Sequence, residues 1–232
     1  MKEFQDLYFA ASSVANNVEA TKSPIPLFSF EGLPGAGKTT QIKLVSDALI
    51  SKYGKTHYVD LPTQSRFGRV LKTLYKNQEN WELIRKEMPW LNPLFISIDL
   101  RESINEAAKC GAKCALMSRG IISTYYYNLD AFPDGDFECQ WDQMQKFMNV
   151  FYVPSLIIFL DISEEEANRR VKLRGRGPLR KMDQIEQMRK DKIFLQRCLA
   201  RLRYIPVIHV NGEETESEVT KQIVAAIEKF MV

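Results

Sequence analysis

Short apolar runs alternate along this chain with stretches whose apolar residues recur at helical spacing. Pro26–Gly32, PLFSFEG, is a continuous apolar run stopped by glycine, and it predicts a buried strand. The segment after it, KTTQIKLVSDALISKYG, places Ile42, Val45, Ala48 and Leu49 on one helical face, and Gly54 closes it. Thr56–Pro62, Lys113–Gly120, Ser155–Ile162 and Ile205–Gly212 predict four further strands. Helices are predicted over Phe67–Tyr75 and Pro93–Cys110. Two more announce themselves by capping boxes, Ser163 with Glu166 and Thr215 with Glu218, each a side-chain cap met by a returning carboxylate. Strands alternating with helices predict an α/β fold with a mainly parallel sheet. Residues 4–20 predict a short appended helix ending before Pro24. The chain therefore reads as an N-terminal extension, residues 1–23, and a single domain, residues 24–232.

Between the first strand and its helix lies FEGLPGAGKTTQ. Gly32, Gly37, Lys38 and Thr39 satisfy G-x-x-x-x-G-K-[ST], with a strand before and a helix after, as a phosphate-binding P-loop requires. Glycines let backbone N–H groups curl around phosphate oxygens, and the helix N-terminus adds partial positive charge. The predicted cradle is Gly32, Leu33, Pro34, Gly35, Ala36, Gly37, Lys38, Thr39 and Thr40. In such a loop the Lys38 ammonium reaches the β/γ-phosphates of a nucleoside triphosphate and the Thr39 hydroxyl ligates Mg²⁺. Asp161, after the apolar run LIIF, is a second candidate for the metal, although it also precedes the Ser163 cap.

Composition narrows the class. The 232 residues, 45% of them hydrophobic, suffice for one sizeable core but leave no room for a large motor module. A guanine-selective N-K-x-D is absent, which counts against a switch GTPase. A net charge of +3 is too weak to predict a nucleic acid polymer as partner. The basic residues do cluster in RRVKLRGRGPLRK, residues 169–181, between two predicted helices. Gly175, Gly177 and Pro178 prevent regular helix there. A mobile lid over about residues 172–182, bearing Arg174, Arg176 and Arg180, would neutralise transferring phosphates and exclude water. The alternative for this segment is a solvated basic surface.

Cys110, Cys114, Cys139 and Cys198 fit no disulfide framework, and with only His57 and His209 present they suggest no zinc site. A reducing cytoplasm fits. The N-terminus lacks the apolar run of a signal peptide, and no stretch is long enough to span a membrane.

On these residues the chain resembles the thymidylate kinases, within the nucleoside monophosphate kinase group, over most of residues 25–230. FEGLPGAGKTTQ is similar to the family's first strand and P-loop. SRGIISTYYYN, residues 118–128, resembles its Asp-Arg-x-x-x-Ser-Ser/Thr-x-Ala-Tyr-Gln segment through Arg119, Ser123, Thr124 and Tyr127, with Asn128 standing for Gln. FLDISEEEANRRVKLRGR resembles the entry to the family's lid, and DQIEQ is close to its Asp-Arg-Ile-Glu. The resemblance implies five core strands flanked by helices, with transfer of the γ-phosphoryl of ATP to a (deoxy)nucleoside monophosphate, and ATP and Mg²⁺ as cofactors. It implies acceptor-side roles for Glu31, Lys72, Phe95, Asp99, Arg119, Ser123, Tyr127 and Asn128. It implies catalytic roles for Lys38, Arg119 and the lid arginines, because Gly35 occupies the P-loop position where one subtype carries arginine. Nucleotides are the expected partners, with no polymer and no membrane, and a homodimer is left open.

The chain also departs from the family. Pro34 replaces the P-loop acid, Ser118 the Asp before Arg119, and Thr63 and Gln64 the charged pair after Pro62. Lys72 replaces an Arg near the acceptor phosphate. Asp99 stands where the family has the Arg that reads thymine, with Arg101 two residues on. Arg only donates hydrogen bonds and ionised Asp only accepts, so the exchange predicts rejection of a base carbonyl and acceptance of an amino group. Two rivals remain: a kinase of a nucleoside or other small molecule, and a degenerate nucleotide-binding relative that acts through partners, for which Ser118 and Pro34 argue.

Overall fold

The structure is a computed structural model, and it describes residues 22–132, 136–148, 150–175, 178 and 180–231. The helix predicted over residues 4–20 and Arg176 of the predicted lid lie outside them. All five predicted strands are present: β1 Leu27–Glu31, β2 Thr56–Asp60, β3 Cys114–Ser118, β4 Leu156–Asp161 and β5 Val207–Asn211. They form one sheet in the order β2-β3-β1-β4-β5, and β1 runs parallel to β3 and β4, and β4 to β5. Burial follows this order. Every residue of β1 and β3 is buried, as is all of β4 but its last residue, whereas β2 and β5 at the edges are partly exposed. Covered parallel strands require continuous apolar runs, which is why these segments were so plain in the sequence.

Among the described residues there are nine α-helices: α1 Lys38–Tyr53, α2 Arg66–Lys76, α3 Gln78–Glu87, α4 Leu91–Lys109, α5 Ile121–Asn128, α6 Phe137–Met148, α7 Glu164–Leu173, α8 Ile185–Arg201 and α9 Glu216–Glu228. Contacts divide the chain into two compact units. One comprises the described residues of 25–58, 111–122 and 154–231, the other those of 22–24, 59–110 and 123–153. We call them the phosphate unit and the helical unit.

The phosphate unit holds β1, β3, β4 and β5 with α1, α7, α8 and α9. In α1, Ile42, Val45 and Leu49 are buried as predicted, while Ala48 is exposed. Gln41 takes the remaining inward place, where its amide donates to Glu216 O at 3.2 Å and accepts from Thr220 Oγ1 at 2.8 Å. The Thr215–Glu218 capping box closes α9 in both directions. At α7 only half of the predicted box forms. Ser163 Oγ accepts from Glu166 N, but the Glu166 carboxylate turns to Arg169 and Arg170, and Glu213 accepts from Ser163 N at 2.7 Å instead. Two arginines one turn along outcompete a single amide for that carboxylate.

The helical unit holds α2, α3, α4, α6 and most of α5. Tyr125 is fully buried and stacks on Trp141 with ring centroids 3.7 Å apart.

Candidate active site

The P-loop leaves the C-terminal end of β1 and enters α1 at Lys38. Gly37, the N-cap, has φ 91° and no side chain to cap the helix, so the first-turn N–H groups are left for an anion. Gly35 also has φ 91°, and a Cβ there would lie 2.6 Å from Ala167 O of α7, so only glycine fits. The Lys38 ammonium folds back to donate to Gly32 O at 2.7 Å and Leu33 O at 2.8 Å. Burial, reinforced by the Arg119 and Arg174 charges and opposed by Glu31, lowers its pKa to about 7.

A cavity of about 400 Å³ opens over this loop, lined among others by Lys38, Thr39, Ser118, Arg119, Arg174 and Arg180. Arg119 follows β3 directly and has φ 65°, the one non-glycine residue with positive φ among those described. A side chain held there costs about 1–2 kcal/mol, which the surroundings must supply. Glu31 contributes. Its buried Oε1 accepts from Gly120 N at 2.8 Å and from Ser29 Oγ at 3.2 Å, fixing the corner beside Arg119.

The two described arginines of the basic segment differ. Arg174, at the end of α7, lines this cavity and a second one. Arg180 also lines the first cavity, but its Nε and Nη2 donate to Asp183 at 3.1 and 3.3 Å. Arg180 and hydrogen bonds from it hold the Asp183 carboxyl below its usual pKa against the opposing effect of burial. Asp161 does not line either cavity. Its carboxylate pairs with Lys192 at 3.1 Å, whereas Thr39 lines the first cavity. Among the described residues no three His, Cys, Asp or Glu side chains cluster as a metal site.

The second cavity, about 420 Å³, lies along the start of α1 and is lined by Gly37, Thr40, Gln41, Arg170, Arg174 and Gly212, with Glu214 beside them. Arg170 Nη1 donates to Gly212 O at 2.9 Å and so ties α7 to the turn after β5. Sequence reasoning named its P-loop wall and Arg174 but missed Arg170 and the turn after β5, Gly212 and Glu214, which lie far along the chain from the P-loop.

In the helical unit, the remaining candidates fall on α2, α4 and α5. Phe95 is half-buried, its ring edge-to-face with Phe67 at 5.2 Å, and Lys72 is half-buried on α2. Asn128 is buried, donates to Thr124 O at 2.7 Å and accepts from Asn92, whose oxygen in turn accepts from Tyr75. The Tyr127 carbonyl accepts from Arg85, a residue the sequence reading passed over. Ser123 is buried. Asp99 departs from its expected role. It is fully buried, and its carboxylate accepts from Thr63 N at 2.7 Å, Thr63 Oγ1 at 2.5 Å and Ser65 Oγ at 2.6 Å. With both oxygens engaged inside the unit, it is not presented to a base. A fully buried acid takes the nearest donors, and Thr63 and Ser65 supply them.

The family model described as thymidylate kinase matches residues 30–223. The chain belongs to the thymidylate kinase family. Among curated proteins it is 26% identical over 212 residues to a probable thymidylate kinase of Archaeoglobus fulgidus, covering 88% of this chain and 96% of that one. It is 26% identical over 213 residues to a thymidylate kinase of Legionella pneumophila, covering 88% and 95%. A thymidylate kinase of Desulfotalea psychrophila is 24% identical over 214 residues, covering 91% and 98%. Membership implies a phosphotransferase of the nucleotide kinase type, and the parallel five-stranded sheet with its P-loop agrees with it. No helix among the described residues is long and apolar enough to cross a membrane.

Proposed function

We propose that this protein is an ATP-dependent nucleotide kinase that transfers the γ-phosphoryl group to a (deoxy)nucleoside monophosphate. The observation that carries this reading is the P-loop cavity, where Lys38, Arg119, Arg174 and Arg180 surround an uncapped helix N-terminus. So many cations around one small space suit a ligand of several negative charges.

In this reading the donor's phosphates lie on the N–H groups of residues 32–39, and its base occupies the second cavity between Arg170, Arg174 and Gly212. The Lys38 ammonium exchanges its two carbonyl partners for phosphate oxygens, which favour its charged form. Thr39 is the residue that would hold Mg²⁺ through its hydroxyl, and the ion would supply neutralisation of phosphate charge. Arg119 holds the acceptor phosphate. An oxygen of that phosphate attacks the γ-phosphorus as the bond to the β–γ bridging oxygen breaks, and Arg174 balances charge on the equatorial oxygens. Positioning and electrostatics carry the catalysis without a covalent enzyme intermediate. Arg180 and the rest of the lid exclude water.

A coupled ADP-release assay with ATP, Mg²⁺ and a panel of nucleoside monophosphates tests the proposal. Monophosphate-dependent ADP formation supports it, and the rival acceptors, free nucleosides, belong in the same panel.

A further inference from the structure

Asp99 and Glu102 lie three residues apart on one face of α4, and both carboxylates are directed at the start of α2. Asp99 gathers the Thr63–Ser65 turn through three hydrogen bonds, and Ser65 N donates to Thr63 Oγ1 at 3.0 Å. Ser65 is the α2 N-cap and its Oγ accepts from Gly68 N at 2.9 Å. Glu102 accepts from the next free amide of that turn, Phe67 N, at 2.9 Å. That bond, together with Ser65 and nearby arginines, holds the Glu102 carboxyl below its usual pKa. The approach is close. A Cβ at Gly68 would lie 2.5 Å from Thr63 O and 2.6 Å from Asp99 Oδ1.

Glu102 takes one free N–H of the helix directly, Asp99 holds the Ser65 hydroxyl that takes another, and both carboxylates face the partial positive charge of the helix N-terminus. The arrangement also fixes what the two helices carry. Lys72 is one turn beyond Gly68 on α2, and Phe95 is one turn before Asp99 on α4, where it meets Phe67. The clamp thus joins the two helices that carry a cationic and an aromatic side chain.

We propose that Asp99 and Glu102 are positioning residues that set the register of α2 on α4, and through it the placement of Lys72 and Phe95 for the acceptor nucleotide. The proposal rests on the nucleotide kinase reading and deepens it. Where the family pattern offers an arginine to the acceptor's base, this chain uses the same helical position to hold the turn that leads into α2. A neutral amide at position 99 keeps the shape but replaces one acceptor oxygen by a donor, facing hydroxyl and amide groups already committed to donating.

The test takes the full chain and the variants Asp99→Asn, Glu102→Gln, Lys72→Ala and Asp99→Asn/Lys72→Ala. Steady-state constants are measured with ATP and the best acceptor of the panel, beside amide hydrogen exchange of the Thr63–Gly68 segment. The expected result for Asp99→Asn is an acceptor KM raised about tenfold or more, an ATP KM within about twofold, and faster exchange at Thr63 and Gly68. Glu102→Gln should do the same more weakly, because Glu102 accepts one of these bonds where Asp99 accepts three. The double variant should cost less than the product of its two single effects, since a misplaced Lys72 has less left to lose. An unchanged acceptor KM in a folded, active Asp99→Asn protein overturns the proposal, as does equal damage to the ATP and acceptor constants. A wild-type protein inactive toward every monophosphate would instead refute the kinase reading itself, and the proposal with it.

Discussion

Glu31 Oε1 accepts the Gly120 N–H at 2.8 Å, so the last residue of β1 braces the residue that follows Arg119. The Arg119 backbone is held left-handed next to that brace, and its side chain lines the cavity over the P-loop. The resemblance placed Glu31 on the acceptor side, and the geometry points to an indirect route, through Arg119.

Replacing Glu31 by Gln keeps the side chain's shape but weakens a charge-assisted bond inside the core. A misplaced Arg119 should lower kcat/KM about tenfold to a hundredfold, with the larger change in the acceptor KM. Kinetics with ATP and acceptor varied separately check this. Activity within about twofold of wild type would show that Arg119 does not depend on the brace.

Lys38 should be the most sensitive P-loop residue. Lys38→Ala removes the point charge beside the transferring phosphate, a loss of about 3 kcal/mol or roughly a hundredfold in rate. ADP release at saturating ATP reads it directly, and unchanged turnover would remove Lys38 from the chemistry.

The same lysine makes a pH prediction for the nucleotide-free protein. Its folded pKa is about 7 against an unfolded value of 10.5. Between those values the unfolded chain holds the proton and the folded one does not, so stability rises with pH across that window. Compared with Lys38→Met, which cannot titrate, wild type should gain stability between pH 7 and pH 10. Urea unfolding of both proteins at the two pH values measures the difference, and parallel behaviour would show that the buried ammonium titrates normally.

Arg174 and Arg180 should separate. Arg174 borders both cavities, whereas Arg180 is partnered by Asp183. Arg174→Ala is expected to lower kcat about a hundredfold with a small change in ATP affinity, and Arg180→Ala by less than about tenfold. Single-turnover rates together with ATP titrations distinguish them. If both variants keep near-normal kcat, the segment is a basic surface and the neutralising charge comes from elsewhere.

The sheet and the P-loop were legible because each rests on local sequence: covered parallel strands need unbroken apolar runs, and the phosphate loop needs its glycines and lysine at fixed spacing. α3, α5, α6 and α8 were not foreseen. QENWELIRKE is mostly polar, and FECQWDQMQKFM shows its apolar stripe of Phe137, Trp141, Met144, Phe147 and Met148 only once its partners are known. Asp99 shows the harder limit. Its residue type and helical position suggested an acceptor aimed at a base, and nothing local revealed that Thr63 and Ser65, more than thirty positions earlier, would take both its oxygens. Glu31 and Gly120, 89 positions apart, illustrate the same limit.

Asp99 is spent on the turn before α2 and is not presented to a base, and no arginine stands at that position. A site with no donor there has one fewer means of favouring a thymine carbonyl. We expect kcat/KM for thymidylate to fall below that for at least one other monophosphate, as a comparison at fixed ATP and Mg²⁺ would reveal. Thymidylate leading by a wide margin would show that other groups recognise the base.

The central claim is phosphoryl transfer from the P-loop to a monophosphate, and ³¹P NMR of the reaction mixture tests it most directly. With ATP, Mg²⁺ and a panel of deoxynucleoside and ribonucleoside monophosphates, the account predicts ADP and a new nucleoside diphosphate in equal amounts from at least one acceptor, and neither from Lys38→Ala at comparable times. ADP accompanied only by inorganic phosphate, or no turnover with any monophosphate, would contradict it.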